Sequence, residues 1–544
     1  MTASAGRTTI AHSLRQRWSL AAIRPSEVVA LVVASIALVP VLYLAWRALE
    51  GGERALASLT HPRTAWLVLR SLGLAAAVAV SSALVAFPLA VLTERVAFPG
   101  RRWLAILLAV PLAVPSYVMA YAVVAALGPR GTLASLLERS VGLARLPEVY
   151  GFFGAWLTLT LVTYPYSFLA LRAALRGLDP AFEEVARTLH AGRWVTLWRV
   201  TVPLLGPALL SGMLLTTLYV LSDFGAIAIL RYPTLTFSIY NQYRLSFDRS
   251  AAAALAVLLV VLSAILLIAE RRWQRRAAFY RTVGTRRPPV LHRPGWGSWL
   301  GLSLALLWGS FAIGLPAGMA AFWFLRARSL GEQLPGIGEP LANSLLVGSA
   351  AGLVTVALAL PVAWAVVRGN GRYVSLIDLP LWIAYGLPGI VLALALVSFS
   401  VRFLPWLYQM LPLLIVGYAL RFLPEATGIL RATLAQQNPR LEEAARTLGL
   451  RPWRAWLTVQ FPLTLPGIGS AFALVFLTTI KELPVTLLLS PIGFTTLATA
   501  VWNATADAFW SHAALPTLLL LGIGVVPMAL FSWWQERGAE RSNE

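Results

Sequence analysis

PAFEEVARTLHAGRWVTLWRVTVPLLGP, residues 180–207, returns later in the chain as PRLEEAARTLGLRPWRAWLTVQFPLTLP, residues 439–466. In the register that pairs Pro180 with Pro439, Glu183/Glu442, Glu184/Glu443, Ala186/Ala445, Arg187/Arg446, Thr188/Thr447, Leu189/Leu448, Trp194/Trp453, Pro203/Pro462 and Pro207/Pro466 are identical pairs. Both copies are polar islands between long apolar stretches. A polar segment carried twice in the same setting implies that one membrane unit was duplicated. It also implies that each unit presents the same short helix to something outside the bilayer.

The flanking composition agrees. Of 544 residues, 58% are hydrophobic and 12% charged, with a mean hydropathy of +0.73. Soluble globular chains carry about 25% charged residues, so most of this chain is solvated by lipid. The net charge of +21 is spread over short loops between apolar runs. That is the distribution of the positive-inside rule, not the single basic face of a nucleic-acid binder, so nucleic acid is excluded as a partner. The absence of cysteine removes disulfides, thiolate metal ligands and cysteine nucleophiles together. The first apolar run, from Val28 to Trp46, exceeds a signal-peptide core and lacks a small-residue cleavage site, so it is expected to be a retained helix.

A spanning helix needs about 20 apolar residues. Such runs fall near residues 28–48, 65–92, 103–127, 151–174, 204–230 and 251–269, then 298–324, 342–367, 376–400, 408–430, 463–489 and 513–534. The expected fold is therefore all-α and polytopic, with about twelve transmembrane helices in two six-helix halves. Residues 1–270 form the first half, 271–297 a basic linker and 298–544 the second half. Placing the arginine-rich loops in the cytoplasm puts both termini inside. The repeat also pairs SLGLAAAVAVSSALVAFPLAV from Ser71 with SLLVGSAAGLVTVALALPVAW from Ser344, and Pro115 with Pro388. An even number of spans per half makes the halves parallel repeats about the membrane normal, with a path expected between them. Pro111, Pro115, Pro380 and Pro388 predict kinks near the core.

Each repeated loop reads as a short amphipathic helix, with Pro180 or Pro439 in its first turn and two glutamates at its positive end. Ala186, Leu189 and Trp194 are expected to face a partner or the membrane, and Arg187 to face water. The second copy, with Glu443-Ala444-Ala445, Gly449 and Val459-Gln460-Phe461-Pro462, resembles the EAA loop of ATP-binding-cassette (ABC) importer permeases. The first copy resembles it through Glu184-Val185-Ala186 and Val200-Thr201-Val202-Pro203, but His190 stands where the family has glycine, with Gly192 two positions on. The resemblance implies that Glu183, Glu184, Ala186, Arg187, Leu189, His190 and Gly192, and Glu442, Glu443, Ala445, Arg446, Leu448 and Gly449, couple the chain to an ATPase.

Asp223-Phe224-Gly225-Ala226 with the stretch to Tyr240, and Lys481-Glu482-Leu483-Pro484 with Thr486–Leu489 and Thr496–Thr499, resemble the two halves of fused ferric-iron permeases. Permeases for thiamine, polyamines and other small solutes share much of this pattern. A kinase reading of the Asp-Phe-Gly triplet fails inside an apolar span. The single lysine, Lys481, also leaves no phosphate loop, so ATP and Mg2+ are expected on a partner and no cofactor on this chain.

The loop register sets Asp223 opposite Glu482. Intramembrane carboxylates are costly and normally face a bundle interior or a watery cavity. Asp223, Tyr240, Lys481 and Glu482 are therefore candidates for the path, although Lys481 and nearby arginines could simply neutralise Glu482. Tyr164, Tyr166, Asn343, Tyr385 and Asn503 are candidates for its lining or for interhelical hydrogen bonds. His12, His61, His190, His292 and His512 are scattered, and no metal site is assigned.

The resemblance implies an importer permease in a bacterial inner membrane, with two copies of an ABC ATPase, an external solute-binding protein and ferric iron, bare or with a small anion, as substrate. A secondary transporter needing no ATPase explains the duplication, but not the matched loop between the fourth and fifth spans of each half.

Overall fold

The computed structural model describes residues 25–129, 131–132, 135, 148–179, 181–188, 192–246, 248–277, 291–369, 371–438 and 440–541. Among them the only extended pairing is an isolated bridge between Val96 and His292. The first half contributes α1 (Pro25–Glu50), α2 (Gly52–Thr60), α3 (Pro62–Arg95), α4 (Arg101–Ala109), α5 (Ser116–Leu127), α6 (Phe152–Gly177), α7 (Ala181–Thr188), α8 (Val202–Ser222), α9 (Gly225–Ile229), α10 (Leu235–Arg244) and α11 (Arg249–Ala277). The second contributes α12 (Trp296–Ser329), α13 (Gly338–Arg368), α14 (Gly371–Tyr385), α15 (Gly389–Phe403), α16 (Leu411–Gln436), α17 (Arg440–Thr447), α18 (Phe461–Ile480), α19 (Pro484–Leu489), α20 (Leu497–Ala506) and α21 (Trp510–Arg541).

Nine of the described helices are long and apolar enough to cross a membrane, and eleven segments are if each of two bent pairs counts once. Helix α6 is less apolar because Arg172, Arg176 and several Thr and Tyr residues dilute it. It nevertheless packs along α3 as α16 packs along α13, and so holds the place of a twelfth crossing. Leucines such as Leu84, Leu307 and Leu353 point outward and are exposed, as a lipid-facing surface requires.

Four of the expected spans are not continuous helices. Residues 103–127 and 376–400 bend by 96° and 105° at Pro115 and Pro388, the two prolines that match between the halves. Both prolines sit extended at the helix start (ψ 141°), where the missing N–H costs nothing and the preceding residue is pushed out of the helical region. Pro380 stays inside α14. Residues 204–230 and 463–489 stop at Ser222 and Ile480 and resume as the short helices α9 and α19. The linker is also shorter than expected, because α11 runs through Ala277 and α12 begins at Trp296. Its far end is tied down, with the Ala97 N–H donating to the His292 carbonyl at 2.9 Å.

The duplication recurs in the hydrogen bonds. Thr234 and Thr496 cap α10 and α20, and the next residue of each helix donates its N–H to the matched serine. Leu235 reaches Ser71 at 3.0 Å and Leu497 reaches Ser344 at 2.8 Å. Helix α5 is buried from Ser116 through Ala126, and α15 from Gly389 through Ser398. A helix apolar on all sides belongs in an interior, and these two form the centre.

The halves are interlocked. Helix α1 packs on α13, α14 and α15, and α12 packs on α3, α4 and α5. The Tyr43 hydroxyl donates to the Ser398 carbonyl at 3.0 Å, and Arg402 sits 4.5 Å over the Trp46 ring while pairing with Glu50. At the loop-side ends, buried Glu94 pairs with Arg172 at 2.7 Å and with Arg176. Arg431, in the register of Arg172, pairs instead with Asp378 at 2.7 Å. These pairs anchor α6 and α16 where each leads into a repeated loop.

Candidate translocation site

Where α5, α8 and α9 of the first half meet α15, α16, α18 and α19 of the second, a cavity of about 230 Å³ opens. Its lining includes Ser116, Tyr166, Tyr219, Asp223, Phe224, Tyr385, Arg421, Glu425, Lys481 and Glu482. The repeat thus brings Asp223 and Glu482 into one chamber, each just past the end of its long helix. Three carboxylates and two cations share the chamber, so it is not a plain cation trap.

The two matched carboxylates are held differently. Asp223 caps α9, with Oδ1 accepting the N–H of Ala226 at 3.1 Å and of Ile227 at 3.4 Å. Its Oδ2 accepts the Ser116 hydroxyl. Glu482 faces the Val485 N–H, the counterpart of Ala226. Where Ser116 stands in the first half, however, the second half has Gly389. A Cβ on Gly389 would lie 2.5 Å from Glu482 Oε1, and that buried oxygen has no donor among the described residues. One serine-to-glycine difference therefore leaves Asp223 satisfied and Glu482 with a free acceptor.

Sequence reasoning missed Ser116, Gly389, Tyr219, Arg421 and Glu425. Arg421 and Glu425 lie one turn apart on α16, and two charges so spaced in an apolar helix were a readable signal. Both cations act on Glu425 and Glu482, and Lys481 Nζ donates to the Leu112 carbonyl of the first half at 3.4 Å. Arg421 Nε is buried without an acceptor among the described residues. In the loop register Tyr166 stands opposite Glu425 and Tyr219 opposite Thr478. Asp223 is the one charged residue on the first-half wall, among the phenols Tyr166 and Tyr219, whereas Arg421, Glu425, Lys481 and Glu482 on the second-half wall are charged and Tyr385 is its phenol.

The other candidates divide. Tyr166 and Tyr385 line the chamber, whereas Tyr240 lies outside it, its ring 4.7 Å from Phe224. Tyr164 is fully buried against Trp308, 5.9 Å between centroids. Asn343 donates to the Thr495 carbonyl at 2.8 Å, and Asn503 is exposed. Among the described residues no three His, Cys, Asp or Glu side chains converge as metal ligands would.

Both repeated loops carry the expected short helix, α7 and α17, each eight residues long. Ala186 and Ala445 are buried against the chain itself and do not face a partner, because small side chains let the helix lie close to the body. The outward apolar residues are instead Phe182 and Val185 on α7 and Leu441 on α17, with Leu448 84% exposed just beyond. Glu442 pairs with Arg446 one turn on, and Glu184 and Glu443 are exposed. Gly449 ends α17 at φ +88°, a left-handed position that glycine occupies without strain. Trp453 is exposed, and Gly192 is exposed in the first loop. Pro180, Leu189, His190 and Pro439 lie outside the described residues, as do the side chains of Glu183, Arg187 and Trp194.

The family model for the binding-protein-dependent transport system inner membrane component matches residues 86–278 and again 341–539. The chain belongs to this family. The permease is 32% identical over 502 residues to the Fe(3+)-transport system permease protein FbpB 2 of Haemophilus influenzae, covering 90% of this chain and 94% of that protein. It is 24% identical over 464 residues to the ferric transport system permease protein FbpB of Actinobacillus pleuropneumoniae, covering 81% and 66%. A shorter similarity, 33% over 135 residues, covers 25% of this chain and 58% of the molybdenum transport system permease protein ModB of Escherichia coli (strain K12). The permease is thus a multi-pass transport subunit of an ABC importer, working with an ATPase and a solute-binding protein.

Proposed function

We propose that this permease moves ferric iron inward, delivered by the solute-binding protein and driven by two ATPase copies, one docked on each repeated loop. Both termini face the cytoplasm in this reading, with the arginine-rich loops. ATP and Mg2+ sit on the ATPase, since the chain's one lysine lies in the chamber rather than in a phosphate loop. The two halves, residues 1–270 and 298–544, act as the walls that part on alternate sides.

The observation that carries the iron reading is Glu482 Oε1, a buried carboxylate oxygen without a donor, in a chamber shared with Asp223, Glu425 and several tyrosines. A hard cation prefers such oxygen donors. Ferric iron is also named for relatives that span most of the chain. The test is uptake into vesicles carrying the assembled importer, with ferric iron, molybdate and sulfate compared at equal concentration. Glu482→Gln is expected to lower ferric uptake at least tenfold while ATPase subunits still co-purify. Uptake of an oxyanion in place of iron, or full ferric uptake by Glu482→Gln, would sink this reading.

A further inference from the structure

Two more cavities adjoin the chamber, one on each side. Toward the repeated loops lies one of about 290 Å³, which reaches Glu270 and Arg431 and shares Leu215 and Tyr385 with the chamber. On the opposite side lies one of about 240 Å³, lined by Tyr150, Arg231, Tyr240, Trp502 and Trp510 among others. This outer cavity shares no lining residue with the chamber. Between them stands Phe224, which lines the chamber and is 1% exposed. Its ring lies 4.7 Å from Tyr240 and 5.3 Å from Trp502, centroid to centroid.

The clamp has a symmetry that its occupant lacks. Tyr240 on α10 and Trp502 on α20 hold the same place counted from the capping threonines Thr234 and Thr496, so the two halves supply matched rings. Phe224 has no aromatic counterpart, because Leu483 stands in its place in the second half. A single ring from one half is therefore held between matched rings of both. The residue before it is Asp223, whose carboxylate fixes the turn to α9 and to Ser116 and whose carbonyl accepts the Thr236 hydroxyl at 2.8 Å. Small movements of α5 against α8 thus act first on the turn that carries Phe224.

We propose that Phe224, clamped by Tyr240 and Trp502, is the plug closing the path on the outer side, and that Asp223 is the positioning residue that keeps it seated. The inference rests on the reading of the chamber as a transport path with the loops inside, but its test does not depend on the substrate. The chain has no cysteine, so Ser222→Cys places a sole thiol on the chamber wall. Right-side-out vesicles holding the assembled importer without nucleotide are treated from outside with a charged, membrane-impermeant methanethiosulfonate.

With Phe224 present the thiol is expected to react slowly. Adding Phe224→Ala should raise the rate at least tenfold. Trp502→Ala should do the same from the other half, which covers failure of the first variant to fold. Leu483→Ala should leave the thiol shielded. Asp223→Ala should raise the rate as well, and Asp223→Asn, which keeps an acceptor for the Ala226 N–H, should not. A membrane-permeant maleimide must label every variant. Rapid outside labelling with all three rings present overturns the plug. So does a thiol that stays shielded when Phe224 or Trp502 is removed, yet reacts with the permeant reagent. If Asp223→Ala leaves the rate unchanged, its positioning role falls while the plug stands.

Discussion

At the residue scale, the pair Ser116 and Gly389 shows how two copies of one unit come to do different work. Both open a buried helix after the matched prolines Pro115 and Pro388, and both face the carboxylate that ends the neighbouring span. The hydroxyl in one copy completes the bonding of Asp223, and its absence in the other leaves Glu482 Oε1 without a donor. The consequence for stability is unequal. Asp223→Ala leaves the buried N–H groups of Ala226 and Ile227 and the Ser116 hydroxyl without their acceptor, a loss on the order of 1–3 kcal/mol. Glu482→Ala strands only the Val485 N–H, since Oε1 had no donor among the described residues and Arg421 and Lys481 keep Glu425 as a counter-charge, and it is expected to cost less. Thermal unfolding of the detergent-solubilised permease should therefore show a lower midpoint for Asp223→Ala than for Glu482→Ala. Equal midpoints would mean that the hydrogen bonds of Asp223 contribute little to the fold. The register of the repeat was enough to pair these carboxylates, because identical residues fix an alignment. Their difference was hidden, because it depends on a helix start more than ninety residues away in the chain.

At the scale of elements, the repeated surface helix was readable and its outward face was not. Glutamates at the start and glycine at the end mark α17 as a helix by composition alone. Which side it shows depends on how it lies on the body, and that is set by Ala186 and Ala445, small enough to be buried. Phe182 and Leu441, matched positions 44% and 46% exposed, are left facing out. Interface energy concentrates in a few well-packed anchor side chains that fill pockets on the partner. Phe182→Ser and Leu441→Ser are each expected to reduce co-purification of the ATPase by about half, and together to abolish it, with the permease still inserted. Full ATPase recovery from the double variant would move the docking face elsewhere. The span breaks were legible only in part. Matched prolines predicted kinks, but not bends of 96° and 105° that carry the second arms, α5 and α15, into the interior while Trp103, Leu376 and Leu379 on the first arms stay exposed.

At the scale of the whole molecule, hydropathy predicts two halves in tandem, whereas in the structure the first helix of each half is partly exchanged, α1 packing on α13–α15 as well as α11 and α12 on α3–α5 as well as α21. Hydropathy reports that a segment spans the bilayer and says nothing about which neighbour it packs on, since lipid and protein interior are equally apolar. The family match begins after α1 in the first half and at α13 in the second, so it leaves both exchanged helices outside the repeated core. Each half alone therefore lacks one of its own walls: α13–α15 lose α1, and α3–α5 lose α12. If the chain is cut between residues 278 and 290 and both pieces are co-expressed, a tag on one should retrieve the other from the membrane, because the interlocking contacts do not need the connection. Expressed singly, each piece is expected to be degraded, since buried faces such as that of α5 are left without α12. Removing residues up to Glu50 from the first piece should weaken retrieval, because α1 then no longer grips the second half through Tyr43 and Trp46 and only the α12 side of the interlock is left. Stable accumulation of either piece alone, or undiminished retrieval without α1, would show that the exchanged helices are decoration on two self-sufficient halves.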